Sequence, residues 1–404
     1  MSDPYEVKPA PGAGMGVFAT RALDPGDVIM HDTFAMRFRN GPDVSAQHVE
    51  HAFTELSSTD QKTFLSLHEG PYPSPSRLKR IFEANAFGHG DMVLLFFKIA
   101  RVNHACTPNA QMTDLDLESD SKVVALERIG KGEQIFLNYI ALVLEGTRED
   151  RKTHLHSNYG FVCKCRACSL TGKEGEVSDM RRKLFAGLAA KSAGKQPWSY
   201  KEHPRGAHPM GGKDRVVVEV VQPPLSKPLT SREKVHCAFF TAKLREAEGM
   251  KTREVSDAYV YAALALHEQI NMIVRRGRVV VMPTAKLLKE WIDMAVALMK
   301  GIRKASHNDV RGVEQFAQTF LGKDGCVVMA RLISPASAKV LKRAGSPIDP
   351  DTIFAVDWRQ GPGKEYYLTQ EEYLQVVRSE SQCSVLGVPV KTVVDWLTTK
   401  RKKR

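Results

Sequence analysis

Arg101-Val102-Asn103-His104-Ala105-Cys106-Thr107-Pro108-Asn109-Ala110 sets two asparagines, a histidine, a cysteine and a proline within ten residues, directly behind the apolar run Met92 to Ala100. Asparagine offers donor and acceptor together, and neutral histidine does the same in either tautomer. Such a pair suits the edge of a heteroaromatic ligand, or a turn that satisfies its own backbone. Working outward, Cys106 has potential partners downstream. Cys163-Lys164-Cys165-Arg166-Ala167-Cys168 places three thiols in six residues. Three thiolates so close can wrap one ion, and a structural zinc site takes four ligands. Cys106 is one candidate for the fourth, and His104, His154 and His156 compete with it. A set of free or redox-active thiols is the alternative. Cys237, Cys326 and Cys383 stand alone and read as small buried residues.

On the N-terminal side, Gly14-Met15-Gly16 precedes Val17-Phe18. It is not a G-x-G-x-x-G phosphate loop, and it leads into a strand rather than a helix. Its glycines permit close approach of a ligand to the backbone. Asp24-Pro25-Gly26-Asp27 is a turn between two strand-like runs. Residues 44–69 carry Val49, Phe53, Leu56, Phe64 and Leu67 at spacings that predict short amphipathic helices. Residues 77–100 read as a further helix ending in the apolar run. Ser121–Glu127 and Gln134–Tyr139 read as strands around the Gly130–Glu133 turn, and 146–157 as a polar helix. Tyr139, Tyr159 and Phe161 flank the cysteine region, and aromatic residues in such places are commonly core with a satisfied hydroxyl.

The texture changes after residue 170. Residues 177–192 predict a basic helix, and 193–228 a long Pro-, Gly- and Lys-rich loop around a strand-like run, Val216–Val221. Helical spacing follows at 231–248, 254–275, 284–303 and 310–321, which suggests stacked antiparallel helices without a clean repeat motif. Residues 336–399 read as a mixed region with helices near 369–378 and 390–399. With 404 residues, 43% of them apolar, the chain can build more than one core. Charge is divided unevenly. Residues 1–170 hold 18 Lys+Arg against 21 Asp+Glu, and residues 171–404 hold 40 against 25. An acidic front half favours cationic, Lys-rich partners, and a basic rear half ending in Lys400-Arg401-Lys402-Lys403-Arg404 favours nucleic acid or acidic surfaces. No apolar run approaches the roughly 18 residues of a spanning helix, and Met1–Pro11 has no apolar core of a secretory leader. A reducing compartment, cytoplasmic or nuclear, suits the odd cysteine count.

Taken in order, these segments resemble the SET-domain lysine methyltransferases. Gly14–Arg21 with Pro25-Gly26-Asp27 is similar to the opening segment of that family. Arg101–Ala110 is similar to its N-H-S-C-x-P-N signature. Gly132-Glu133-Gln134-Ile135-Phe136-Leu137-Asn138-Tyr139 is similar to the strand that ends in its catalytic tyrosine. Tyr159-Gly160-Phe161-Val162-Cys163-Lys164-Cys165-Arg166-Ala167-Cys168 is similar to its cysteine-rich post-SET segment. The likeness covers roughly residues 10–170 and is strongest to SMYD-like and related fungal SET proteins. Ala105 departs from the common serine, and the 41–80 insert has no cysteine, so the MYND zinc module is missing.

The resemblance implies an α+β fold. A β-rich SET domain over 1–170 would contain a pseudoknot, a helical insert at 41–80 and a post-SET zinc segment at 159–170. A linker or insertion at 171–230, a helical domain at 231–335 and a mixed region with a basic tail at 336–404 would follow. It implies S-adenosyl-L-methionine as methyl donor and a structural Zn2+ on Cys106, Cys163, Cys165 and Cys168. Tyr139 would be catalytic. The cofactor would meet Gly14, Met15, Gly16, Asn85, Asn103, His104, Tyr139, Tyr159 and Phe161, with His104 near the adenine edge, Phe161 stacked on adenine and Tyr159 lining the methyl-transfer channel. The substrate would be a Lys-containing protein, for instance a histone, with nucleic-acid contact through the basic rear half and a place in chromatin. The alternatives are a SET-fold scaffold or small-molecule enzyme, and, less supported, a zinc-dependent nucleic-acid binder, for which no recognition helix or aromatic platform is evident.

Overall fold

The computed structural model describes residues 3–39, 44–72, 74–89, 92–113, 121–140, 146–192, 194–196, 199–203, 217–221, 224–275, 283–302, 308–320, 327–328, 355–356, 384–385 and 388–398. Two compact units emerge, Met1–Asp179 with Ser199–Val221 and Met180–Trp198 with Gln222–Arg404.

The first unit is built from small sheets. β1 (Tyr5–Pro9) pairs antiparallel with β2 (Met15–Ala19), and β3 (Val28–Asp32) and β4 (Phe34–Arg39) follow. Gly26, at φ +83°, makes the turn before β3, a conformation that glycine adopts without steric penalty. Helices α1 (Ala46–Thr54), α2 (Ser58–Leu65) and α3 (Arg77–Asn85) come next. They bury Val49, Phe64, Ile81 and Phe82 in one cluster, with Phe53 and Leu56 packed against it. The predicted helix over 77–100 stops at Asn85. Ala86–His89 and Met92–Phe96 are strands β5 and β6, and β4, β6 and β5 form one sheet. A short continuous apolar run has no periodicity that separates helix from strand. Here β6 finds hydrogen-bonding strands on both sides, and that pairing settles its conformation.

A 3₁₀ turn, Ile99–Arg101, then leads into β7 (Asn103–His104). The buried Asp32 carboxylate accepts the backbone N–H groups of Lys98 (2.6 Å) and Ile99 (2.9 Å) and so caps the turn. β8 (Ala110–Thr113) and β3 flank β9 (Ser121–Ala125), and β10 (Gln134–Leu137) lies between β2 and β7. Val17, Ile29, Leu94, Phe96, Val102, Val123 and Ile135 fill the core of these sheets. Helix α4 (Arg148–Tyr159) precedes the cysteines.

Helix α5 (Gly172–Ser192) begins earlier than the predicted basic helix. In the predicted long loop, Val217–Val221 pairs antiparallel with a second strand, Ser199–His203, to make a hairpin. The second unit contains α6 (Ser231–Ala247), α7 (Arg253–Arg275), α8 (Pro283–Ile302) and α9 (Asn308–Phe320), each packed on the next, and α10 (Val390–Thr398). Its core centres on Phe239 stacked on Trp291, ring centroids 4.8 Å apart, with Leu266, Leu288 and Ile292 around them. Part of the basic surplus is internal. Arg181, Arg182 and Arg245 are buried, and Arg182 pairs at 2.9 Å with the buried Glu248. These three cations cannot face a polyanion. Cys326, Cys383, the helix expected near 369–378 and the tail Lys400–Arg404 lie outside the described residues. Among the described residues, no helix is long and apolar enough to cross a membrane.

Candidate active site and metal centre

The sulfur atoms of Cys106, Cys163, Cys165 and Cys168 all lie within 4.8 Å of one another. Cys106 Sγ is 3.5 Å from Cys168 Sγ and 3.9 Å from Cys163 Sγ. A tetrahedral ion with Zn–S bonds of about 2.3 Å sets its sulfur pairs about 3.8 Å apart, so the donor set fits zinc in both chemistry and spacing. Chain geometry explains the convergence. Cys168 N–H donates to the Cys165 carbonyl at 2.9 Å, a tight turn that brings Cys165 and Cys168 together, while the Cys106 N–H reaches Cys165 Sγ at 3.4 Å. His154 and His156 stay on α4, outside the group. His104 stands behind Cys106, its Nε2 3.2 Å from Cys106 Sγ.

The same histidine reaches the other way. The backbone N–H of Tyr139 donates to His104 Nδ1 at 3.0 Å. An accepting Nδ1 leaves the ring proton on Nε2, where it points at sulfur. Both ring nitrogens therefore have partners within the chain, and the side chain does not present a free edge to adenine. β7 runs parallel to β10, with Asn103 opposite Phe136 and His104 opposite Leu137. Asn109 clamps the same strand, accepting from Phe136 N–H at 2.8 Å and donating to the Gln134 carbonyl at 2.9 Å. The 103–109 segment is thus sewn along the strand that delivers Tyr139.

Tyr139 hydroxyl donates to the Val102 carbonyl at 2.6 Å. Its ring lies 5.2 Å from Tyr159, 5.3 Å from His104 and 6.5 Å from Phe161. Burial, and then the neighbouring Tyr159, push the Tyr139 phenol well above its usual value, and burial also raises Tyr159. Gly160 caps α4 in the left-handed region, φ +77°. This reversal brings the Tyr159 and Phe161 rings to 6.3 Å of each other.

Gly14 takes φ +67°, with open space where a Cβ would stand. Asn103 Nδ2 donates to the Met15 carbonyl at 3.0 Å, which ties this loop to β7. A Cβ on Gly16 would meet the amide nitrogens of Gln134 and Asn103. The Gln134 nitrogen is buried with no hydrogen-bond partner among the described residues, an unmatched donor behind the loop. This orphan and the open side of Gly14 fit a ligand with acceptor atoms. Asn85 lies at the end of α3, and its amide donates to the His68 and Ile81 carbonyls, both at 2.7 Å. His68 Nε2 bonds the Tyr159 carbonyl at 2.9 Å. Asn85 is thus linked to Tyr159 through His68. Sequence reasoning missed His68, Gln134 and the buried Arg151 of α4, whose Nη2 is 3.5 Å from Cys168 Sγ. One signal was available for Arg151: with Leu155 it forms the i, i+4 pair that α4 buries.

The family model of the SET domain matches residues 14–140, which take in the Gly14 loop, the Asn103–Asn109 segment and Tyr139. This stretch is a SET domain. It is similar to histone-lysine N-methyltransferase set5 of Schizosaccharomyces pombe, 31% identical over 193 residues that cover 45% of this chain and 56% of the relative. N-lysine methyltransferase SMYD2 of Gallus gallus is 34% identical over 88 residues, 22% of this chain and 19% of that protein. Protein-lysine N-trimethyltransferase SMYD5 of Homo sapiens is 35% identical over 85 residues, 21% of this chain and 20% of that protein. The chain thus spans little more than half of the first relative and about a fifth of the others. The SET domain is followed by the helical region described above.

Proposed function

We propose that the chain is an S-adenosylmethionine-dependent protein-lysine N-methyltransferase acting on a histone or another Lys-rich protein. The observation that carries this reading is the clustering of the Tyr139, Tyr159 and Phe161 rings, with the Tyr139 hydroxyl on the carbonyl of Val102, the residue before the Asn103 that ties down the Gly14 loop. The names of the set5 and SMYD relatives, all lysine methyltransferases, support it. S-adenosylmethionine supplies, when bound, a methyl group on a positively charged sulfur.

The protein's part follows from its own residues. Free lysine has a pKa of about 10.4, so at neutral pH only about one amine in a few thousand is neutral. An aromatic channel of Tyr139 and Tyr159 strips water from the ammonium and favours loss of its proton. The channel also aligns the amine, a proximity effect worth several kcal/mol. Tyr139 stays a neutral phenol, so it orients and stabilises through its hydroxyl and is not the base. The loop Gly14, Met15 and Gly16 borders the donor's amino-acid part, Asn103 positions that loop, and Phe161 stacks on the base. Asn85 and His104 act at one remove, through Tyr159 and the Tyr139 backbone. Zn2+ on Cys106, Cys163, Cys165 and Cys168 would be structural and hold Phe161 beside the site. The basic tail Lys400–Arg404 would direct nuclear entry, and a chain cut after Thr399 that still enters the nucleus would discard that role.

The test is mass spectrometry of peptides after incubating the protein with histones, cell extract and isotopically labelled S-adenosylmethionine. Labelled methyl-lysine is the expected result. Cofactor binding by calorimetry without any methylated protein would favour a small-molecule acceptor, and no cofactor binding would favour a scaffold.

A further inference from the structure

Helix α4 sends one cation into the sulfur cluster. Arg151 is 0% exposed. Its Nη1 donates to the Gly146 carbonyl at 2.6 Å, its Nη2 lies 3.5 Å from Cys168 Sγ, and its Nε has no hydrogen-bond partner among the described residues. Guanidinium keeps its charge in proteins, and a buried unpaired charge is strongly penalised. Among the described residues, no ion pair joins a carboxylate to Arg151; the neighbouring groups that acquire negative charge are the thiols. The converse holds for the cysteines. Four thiolates around a divalent ion carry a net charge of −2, in a pocket where Cys106, Cys163 and Cys168 are buried. Each burial problem is the other's remedy.

We infer that Arg151 is the charge-compensating outer partner of the Cys106–Cys163–Cys165–Cys168 site, bonded to the Cys168 sulfur and governing how tightly the metal is kept. The inference rests on the metal reading above. An N–H directed at a bound thiolate draws on its lone pair and makes it a poorer nucleophile and a poorer proton acceptor. Both effects slow loss of the ion. The same side chain ties α4 to the metal, so the helix that ends in Tyr159 is fastened at its first turns and not only at its C-terminus.

The test uses the full chain, loaded with Zn2+ and titrated with a chromophoric chelator. Parent, Arg151→Met, Arg151→Lys and Cys165→Ser are compared. Outer-shell substitutions at metal sites typically weaken affinity about 10–100-fold, and a fall of that size is expected for Arg151→Met. Lysine keeps the charge but cannot reach Gly146 and Cys168 together, so Arg151→Lys should weaken binding several-fold, less than Arg151→Met. Mass-spectrometric alkylation kinetics should show Cys168 of the loaded protein reacting faster in Arg151→Met than in the parent. Should Arg151→Met fail to fold, Arg151→Lys decides. Affinity equal to the parent in Arg151→Lys and in any folded Arg151→Met, with unchanged alkylation, would overturn the inference. A parent chain that takes up no zinc would refute the metal reading itself.

Discussion

Tyr139 shows how one side chain inherits its chemistry from its surroundings. Its hydroxyl is held on the Val102 carbonyl at 2.6 Å and its backbone by His104 at 3.0 Å. Burial raises its pKa above the ordinary value of 10.0. The proton is therefore retained across the range in which a lysine substrate becomes neutral. Activity should rise with pH from 7 to 9 as more amine is free, with no descending limb from Tyr139. Replacing Tyr139 with Phe removes one preorganised hydroxyl and should lower turnover about 100-fold or more. S-adenosylmethionine affinity should change only a few-fold, because the ring stays in place. Equal turnover, or a descending limb near pH 8 that vanishes in the Phe variant, would show that the Tyr139 hydroxyl does not act as a neutral orienting group. The sign on stability follows too. The folded state binds this proton more tightly than the unfolded chain, so the contribution is complete below pH 10 and declines above it.

Helix α4 is the element on which the site depends. Thr147 caps it, with Asp150 reaching back to the Thr147 N–H at 2.7 Å in a capping box. Arg151 and Leu155 face inward, and Tyr159 closes the last turn. Gly160 then reverses the chain in the left-handed region, and a Cβ there would lie 3.3 Å from Pro71 Cδ. An alanine at this position carries a left-handed penalty of about 1–2 kcal/mol. We expect Gly160→Ala to lower stability in urea by about that amount and to weaken cofactor binding, since Tyr159 and Phe161 would separate. Unchanged binding with the expected loss of stability would show that the turn shapes the fold and not the pocket. Strand β6 teaches the opposite lesson about elements. Met92-Val93-Leu94-Leu95-Phe96 is apolar in every position and compatible with either conformation. Its partners, β4 and β5, made it a strand.

At the scale of the whole chain, each unit has its own hydrophobic core, as expected for 404 residues. Trp291 and Trp396 fall in the second unit, so their fluorescence follows that unit. Trp291 is 0% exposed and stacked on Phe239. Its replacement by alanine should cost about 3–5 kcal/mol, read as an earlier unfolding midpoint by the fluorescence of the other tryptophans. A shift below about 1 kcal/mol would mean that the helices close over the cavity. The buried Glu248 with Arg181 and Arg182 shows why net charge was a weak guide to partners. A formal count does not separate a cation facing solvent from one inside a helical core.

Helical spacing and turn chemistry were enough to read the helices α1, α2, α4 and α6–α9, and Ser45, Ser57, Thr147 and Thr230 cap α1, α2, α4 and α6. The ordered resemblance of the motifs to the SET family was what proposed the cysteines, Asn103, Tyr139 and Phe161 as one site; residue type alone left the Asn103–Asn109 segment open between a ligand edge and a self-satisfied turn. Side-chain direction was not legible. Only the folded chain shows His104 turned between Tyr139 and Cys106, Asn85 engaged with two carbonyls, and Arg151 pointing at sulfur. Those outcomes depend on contacts between residues up to tens of positions apart, which the spacing of residues along one strand or helix does not encode.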